Sequence, residues 1–146
     1  MFRILIVEDN FMIADLAEEC LLANGYDVCG TALNVDEGMA LYESHSPDLI
    51  MLDLRLGHGQ LGTALAARLG SFDKVGILYV TASSHEIALS ARDGHACLAK
   101  PYTVSDLLRS LELVSDIVAT GTALQPFPRG FHQLTGEAKS IACVAS

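Results

Sequence analysis

The chain has 146 residues, of which 51% are hydrophobic, and a formal net charge of −9 at pH 7. This length suits a single domain with a sizeable core, and the acidic balance argues against a nucleic-acid-binding surface. No apolar stretch reaches the roughly 18 residues that a membrane-spanning helix needs, so we expect a cytoplasmic protein that does not contact a membrane.

Short apolar runs alternate with helix-length amphipathic segments along most of the chain. Near-continuous apolar runs are typical of parallel strands that are covered on both faces. The predicted strands cover residues 3–7, 26–32, 48–52, 75–81 and 96–99. The predicted helices cover residues 11–24, 35–44, 60–69, 84–93 and 104–118.

Capping residues flank several of these helices. Asn24 and Gly25 predict the end of the first helix. Ser83 with Glu86 forms a capping-box pattern, and Thr103 is a good N-cap for the last helix. The caps therefore support the helix assignments independently of hydrophobic periodicity.

The first predicted helix carries Met12, Leu16, Cys20 and Leu21 at helical spacing. Such a stripe is typical of the face that a helix turns towards the core. We expect Met12, and Met39 in the second helix, to be core residues.

The alternation of five strands and five helices predicts an α/β fold, (βα)5, with a doubly wound five-stranded parallel sheet. Right-handed crossovers place helices on both faces of such a sheet. Ligands of these sheets bind beyond the carboxyl ends of the strands, so the residues that end each strand are the candidates for a site.

The strand ends carry Glu8 and Asp9, Asp53, Thr81 and Lys100. Two carboxylates about 4 Å apart repel by roughly 4 kcal/mol at an effective dielectric constant of ~20, and one lysine offsets only part of this. A hard divalent cation with oxygen ligands resolves the rest, and Mg²⁺ suits a site with few carboxylates. The sequence therefore predicts a magnesium site at this rim.

A carboxylate beside a metal can act as the nucleophile towards a phosphoryl group. Asp53 is the candidate for that role, while Mg²⁺ and Lys100 would neutralise the phosphoryl oxygens and Thr81 would donate a hydrogen bond to one of them.

The motifs "ILIVEDN", "LIMLDLRL", "ILYVTAS" and "CLAKPY", in this order, resemble the receiver domain of two-component response regulators, over about residues 2–118. The resemblance implies a CheY-like, flavodoxin-like fold. It also implies that Asp53 accepts the phosphoryl group from a histidine kinase or a histidine phosphotransfer protein.

Further roles follow from the same resemblance. It implies that Asp9 binds Mg²⁺ directly, that Glu8 acts more often through a water, and that the backbone carbonyl of Arg55 is another ligand. Thr81 becomes the switch hydroxyl, Lys100 the contact to the phosphoryl group, and the bond from Lys100 to Pro101 is expected to be cis.

The sequence departs from the receiver pattern at two positions of interest. The residue three before Lys100, which is aromatic in the family, is Cys97 here, and Tyr102 is a candidate substitute close to the site. Arg55, two residues after Asp53, is a long cation at the mouth of the site, and we hypothesise that it changes the lifetime of the phosphate.

The loop after the third predicted strand is rich in glycine. Gly57 to Gly62 form a literal G-x-G-x-x-G, a dinucleotide-binding pattern, but it follows the third strand, and we expect its glycines to let the loop turn beside the metal.

The cysteines at 20, 29, 97 and 143 form no C-x-x-C pair, so we expect buried free thiols.

We expect a receiver domain over residues 1–118 and a C-terminal extension over 119–146 that is too short for an output domain. The extension is either flexible or docks on a partner through Phe127, Phe131 and Leu134.

The expected protein is a single-domain response regulator and not an enzyme beyond its own phosphorylation and dephosphorylation. Its expected partners are the phosphodonor, a downstream protein and, as an open alternative, a second copy of the chain.

Two rival functions stay open. One is a degenerate receiver that binds a partner constitutively and takes no phosphate. The other is a flavodoxin-like enzyme that acts on a phosphorylated small molecule through Asp53.

Overall fold

The computed structural model describes residues 2–82 and 89–136. Within them lie six strands, four α-helices and a short 3₁₀ turn at Gly57–Gly59. In chain order the elements are β1 (Arg3–Val7), α1 (Phe11–Ala23), β2 (Asp27–Ala32), α2 (Val35–His45), β3 (Leu49–Asp53), α3 (Thr63–Leu69), β4 (Gly76–Ala82), β5 (Ala96–Lys100), α4 (Val104–Thr120) and β6 (Phe131–Gln133).

The strands form one sheet in the order β2-β1-β3-β4-β5-β6. The first five strands pair in parallel, which confirms the predicted doubly wound α/β architecture. Separate hydrophobic clusters cover the two faces, one with α2 and α3 and the other with α1 and α4. The carboxyl ends of β1, β3, β4 and β5 therefore meet at one rim.

The count of five strands was wrong, because β6 adds a sixth. It pairs antiparallel with β5, and Phe131 and Leu134 are buried. The backbone amide of Ala99 donates to the carbonyl of Gly130 at 3.0 Å, and the amide of Leu134 donates to the carbonyl of His95 at 2.9 Å. Part of the predicted extension thus covers an otherwise open sheet edge.

The predicted helix over 84–93 is only partly testable. Residues 83–88, which include Ser83 and Glu86 of the capping-box pattern, lie outside the described residues. Residues 89–93 are not helical and end in a turn. There the amide of Ser90 donates to the carboxylate of Asp93 at 2.9 Å, the kind of local side-chain bond that competes with a helix.

Helix α1 packs on a face that includes Leu21 of the predicted stripe but not Met12 or Leu16. Ala14, Ala17 and Leu21 are buried, whereas Met12 and Leu16 are 76% and 66% exposed. The small alanine side chains let the helix lie close to the sheet, and the larger side chains turn outwards. The placement of Met12 in the core was therefore wrong.

The helix ends and the cysteines have mixed outcomes. Asn24 follows the last residue of α1, and Thr103 caps α4 in a capping box, both as predicted. Cys20 and Cys29 are free thiols that are only half-buried. Cys97 takes part in a disulfide bond, so the expectation of a free thiol was wrong there.

Within the described residues, every helix is too short or too polar to cross a lipid bilayer.

Candidate functional site

Three carboxylates come together at the rim of the sheet. Glu8 and Asp9 follow β1 directly, and Asp53 ends the neighbouring strand β3. One carboxylate oxygen from each residue lies within 4.8 Å of the other two. Because the acids follow adjacent parallel strands, the fold itself holds like charges together.

Lys100 ends β5 and reaches across the rim to these acids. Its Nζ lies 2.9 Å from Oε1 of Glu8 and 3.9 Å from Oδ2 of Asp53. The lysine thus forms a hydrogen-bonded ion pair with Glu8 and only a longer electrostatic contact with Asp53. The bond from Lys100 to Pro101 is cis, as expected.

The environment shifts the acidity of the three carboxyl groups in different directions. Burial and the adjacent Glu8 raise the pKa of Asp53 to about 7. Burial opposes the ionisation of Glu8, but its hydrogen bonds with Lys100 and Asp53 and the charge of Lys100 outweigh this and lower the pKa of Glu8. Burial and Glu8 raise the pKa of Asp9. Glu8 is therefore the more acidic of the pair Glu8 and Asp53, and Asp53 retains a proton over part of the neutral range.

The donor set fits Mg²⁺. Three carboxylates offer hard oxygen ligands at mutual distances that one small cation can bridge, and no nitrogen or sulfur donor is needed. The backbone amide of Arg55 lies 3.4 Å from Oδ1 of Asp53, so the main chain after β3 passes beside the acids. The side chain of Arg55 is exposed. Its effect on the lifetime of the phosphate and the ligand role of its carbonyl stay predictions.

Asn10 is a site-supporting residue that the sequence interpretation missed. Its backbone amide donates to Oε2 of Glu8 at 3.2 Å, while its side chain accepts hydrogen bonds from the amides of Met12 and Ile13 as the N-cap of α1. The signal available in the sequence was an N-cap residue directly after the acid pair.

The glycine-rich loop packs against the site. A Cβ at Gly57 would lie 3.2 Å from Oδ2 of Asp9, and one at Gly62 would lie 2.5 Å from the carbonyl oxygen of Asp53. The amide of Gly62 also donates to the carbonyl of Leu54 at 2.8 Å. The loop folds back on the end of β3, so α3 begins at Thr63 rather than at residue 60.

Thr81 lies in β4 opposite Ala99 and is buried. Its hydroxyl donates to the carbonyl of Ala82 at 3.4 Å and not to a carboxylate of the cluster.

Tyr102 lines a narrow cavity together with Glu8, Asp53 and Lys100. Burial is the main cause that raises the pKa of the Tyr102 hydroxyl to about 12, and the charges of Cys20, Glu8 and Asp53 add to it.

Comparisons with known proteins agree with this geometry. The model of the family described as the response regulator receiver domain matches residues 4–112. The transcriptional regulatory protein PdtaR of Mycobacterium tuberculosis is 33% identical over 126 residues, which cover 84% of this chain and 61% of PdtaR. The chain therefore spans about three fifths of that relative.

Solved structures show the same fold. The signal receiver domain of a modulated diguanylate cyclase from Desulfovibrio desulfuricans G20 is 28% identical with a TM-score of 0.68, covering 82% of this chain and 97% of that one. A CheY-like response regulator receiver domain protein from Methanospirillum hungatei JF-1 is 26% identical with a TM-score of 0.67, covering 83% and 98%.

Proposed function

This chain belongs to the response regulator receiver domain family, and from that membership we propose that Asp53 accepts a phosphoryl group from a phosphohistidine. The donor is a histidine kinase or a histidine phosphotransfer protein. The observation that carries the proposal is the cluster of Glu8, Asp9 and Asp53 with carboxylate oxygens within 4.8 Å and Lys100 beside it. Three carboxylates this close together can bind a cation, and a bound cation together with Lys100 can attract the oxygens of a phosphoryl group.

In the proposed reaction a carboxylate oxygen of Asp53 attacks phosphorus, and the bond from phosphorus to the imidazole nitrogen breaks. The imidazole leaves with the electron pair of that bond and takes up a proton. Lys100 moves from Glu8 towards the new phosphoryl oxygens, and the Thr81 hydroxyl turns from Ala82 to donate to one of them. These two groups stabilise the added negative charge.

The residues that would hold Mg²⁺ are Glu8, Asp9, Asp53 and the backbone carbonyl of Arg55. When bound, the ion supplies positive charge that favours ionised Asp53 and neutralises phosphoryl oxygens. Asp53 would thus both hold the ion and react, whereas Glu8 and Asp9 would provide the remaining carboxylate oxygens.

The output of this switch is a protein contact rather than turnover of a substrate. The chain modifies only itself, by its own phosphorylation and dephosphorylation, and acts in the cytoplasm on a downstream protein. Whether it also forms a homodimer is part of the same proposal, since phosphorylation-dependent self-association is one form of such output.

Intact mass after incubation with acetyl phosphate and Mg²⁺ tests the proposal. We expect the wild-type chain to gain about 80 Da, one phosphoryl group, and Asp53→Asn to gain none. Asp36→Asn, which changes an exposed acid outside the cluster, is the matched control and should gain the same mass as the wild type.

The other outcomes identify the rival functions. A chain that gains no mass under these conditions, while it still folds, is a degenerate receiver. Sustained turnover of a phosphorylated small molecule other than acetyl phosphate, with more than one phosphate released per chain and with loss of turnover in Asp53→Asn, indicates an enzyme.

A further inference from the structure

Tyr102 lines two separate spaces, an inner cavity and a surface groove. On one side its ring lines the narrow cavity that also contains Glu8, Asp53 and Lys100. On the other side it lines a surface groove of about 410 Å³ between α1 and the start of α4, together with Leu16, Cys20, Val104 and Leu107. A displacement of this one ring therefore changes both spaces.

The inner cavity has little room to spare. It measures about 10 Å³, about the space that a single water molecule needs. A phosphoryl oxygen directed into it must displace one of its walls. Most of those walls are residues of β1, β3 and β4, which lie within the paired sheet, and of α1, which packs on that sheet.

Tyr102 is a wall of this cavity that lies outside the strands and helices and is only partly buried against the core. It lies in the turn between β5 and α4, is half-buried, and has no hydrogen-bond partner for its hydroxyl among the described residues. Tyr79 differs on each count, because it is fully buried in β4 and its hydroxyl donates to the carbonyl of Asp93 at 2.6 Å. Lys100 lines the same two spaces as Tyr102, so a movement of the lysine side chain towards a phosphoryl group changes the room that is left for the tyrosine ring.

We propose that Tyr102 is a positioning residue that transmits the phosphorylation of Asp53 to the groove between α1 and α4. This inference rests on the proposed function. The phosphoryl group and the relocated Lys100 push the ring out of the inner cavity and into the groove. The groove narrows, and Cys20, which lines it as a free thiol, becomes less accessible.

Alkylation of Cys20 tests this with a readout that is separate from the mass gain at Asp53. The full chain is treated with iodoacetamide, with and without acetyl phosphate and Mg²⁺, and the rates at Cys20 and Cys29 are followed by peptide mass spectrometry. Cys29 is also half-buried but packs on the opposite face of the sheet, so it serves as the internal reference. We expect phosphorylation to slow alkylation of Cys20 by about threefold or more and to leave Cys29 unchanged.

Two variants separate transmission from structural damage. Tyr102→Leu should still gain one phosphoryl group by intact mass but lose the phosphorylation-dependent change at Cys20, whereas Tyr102→Phe, which keeps the ring, should retain it. Tyr42→Leu removes a half-buried tyrosine that packs on the other face and should behave like the wild type.

The failures are distinguishable. A phosphorylated Tyr102→Leu chain that still protects Cys20 as strongly as the wild type overturns the role of Tyr102 and leaves the proposed function intact. Phosphorylation of the wild type without any change at Cys20 does the same. Absence of any mass gain at Asp53 overturns the proposed function, and the inference falls with it.

Discussion

At the scale of single residues, Lys100 determines how charge is shared among the three acids. It pairs with Glu8 at 2.9 Å and lies 3.9 Å from Asp53. Burial and the adjacent Glu8 raise the pKa of Asp53 to about 7, and the charge of Lys100 offsets only part of that rise. A nucleophile must be ionised to react. We therefore expect the proposed reaction of Asp53 to be faster when a cation in the cluster favours its ionised form.

Gly62 tests how closely the loop must approach Asp53. Its backbone is in the right-handed helical region, which alanine also adopts, but a Cβ would lie 2.5 Å from the Asp53 carbonyl oxygen. We expect Gly62→Ala to lower the free energy of unfolding by about 1–3 kcal/mol through overpacking, and to slow phosphorylation by acetyl phosphate because Asp53 itself is displaced.

Gly59→Ala is the control in the same loop. Gly59 has a φ of +75° but open space around it, so alanine there costs roughly 1–2 kcal/mol of backbone strain without pressing on the site. Urea unfolding and intact-mass kinetics measure both variants. Equal phosphorylation rates in Gly62→Ala and Gly59→Ala would contradict the argument.

At the scale of elements, α1 shows an apolar surface where the periodicity predicted a buried one. Phe11, Met12 and Leu16 are exposed on α1, which only Asn10 separates from Glu8 and Asp9. An exposed apolar patch beside a reactive group is a suitable docking surface for a protein partner. We expect the proposed phosphodonor to dock on it.

Met12→Ala tests this assignment. We expect phosphoryl transfer from purified, phosphorylated histidine kinases of the same organism to slow by about tenfold, the effect of losing a central interface contact. Labelling by acetyl phosphate should stay unchanged, because a small donor needs no docking surface. Leu124→Ala removes an equally exposed apolar side chain (77%) far along the chain, and a matching loss of transfer there would refute the role of α1.

Strand β6 is the second element whose role came from the fold. Phe131 is buried and its ring lies 5.0 Å from that of Phe127, which is only half-buried. We expect Phe131→Ala to lower the free energy of unfolding by about 3–5 kcal/mol, as for other buried phenylalanines, and Phe127→Ala to cost clearly less. Urea denaturation measures both; equal small losses would mean that β6 contributes little to the sheet.

At the scale of the whole molecule, the acidic rim links stability to pH. A carboxyl group whose pKa rises on folding binds its proton more tightly in the folded chain, so its contribution to stability falls as pH rises. For Asp53 this loss spans its ordinary value of 3.8 to about 7. Burial lowers the pKa of His95, and this group acts in the opposite direction, since its contribution is lost as pH falls below about 6.5.

We therefore expect the difference in unfolding free energy between the wild type and Asp53→Asn to change between pH 5 and pH 8 without Mg²⁺, with the wild type losing stability relative to the variant as pH rises. The comparison cancels His95, which both chains contain. Chemical denaturation at several pH values measures this, and a constant difference would contradict the raised pKa.

Mg²⁺ should oppose this loss. At about 100 times its dissociation constant a ligand of the folded state adds about 2.7 kcal/mol, and binding to carboxylates releases any protons that they hold. Thermal unfolding should show a larger stabilisation by Mg²⁺ at pH 8 than at pH 6, and none of comparable size in Asp53→Asn.

Much of this protein was determined by its sequence alone. The strand runs and their alternation with helices were sufficient for the doubly wound sheet, because apolar runs and right-handed crossovers leave few topologies. The same topology placed Glu8, Asp9, Asp53 and Lys100 at one rim, since each follows or ends a parallel strand. These inferences depend only on local pattern and on rules of connection.

Only the tertiary structure decided the rest. Helix α1 is apolar on several sides, so its period could not show that Ala14 and Ala17 face the sheet; the close approach that small side chains allow decided it. The pairing of β6 with β5 and the place of Tyr102 between two cavities depend on contacts between segments distant in sequence. No local pattern encodes such contacts, because they form only once the sheet exists to receive them.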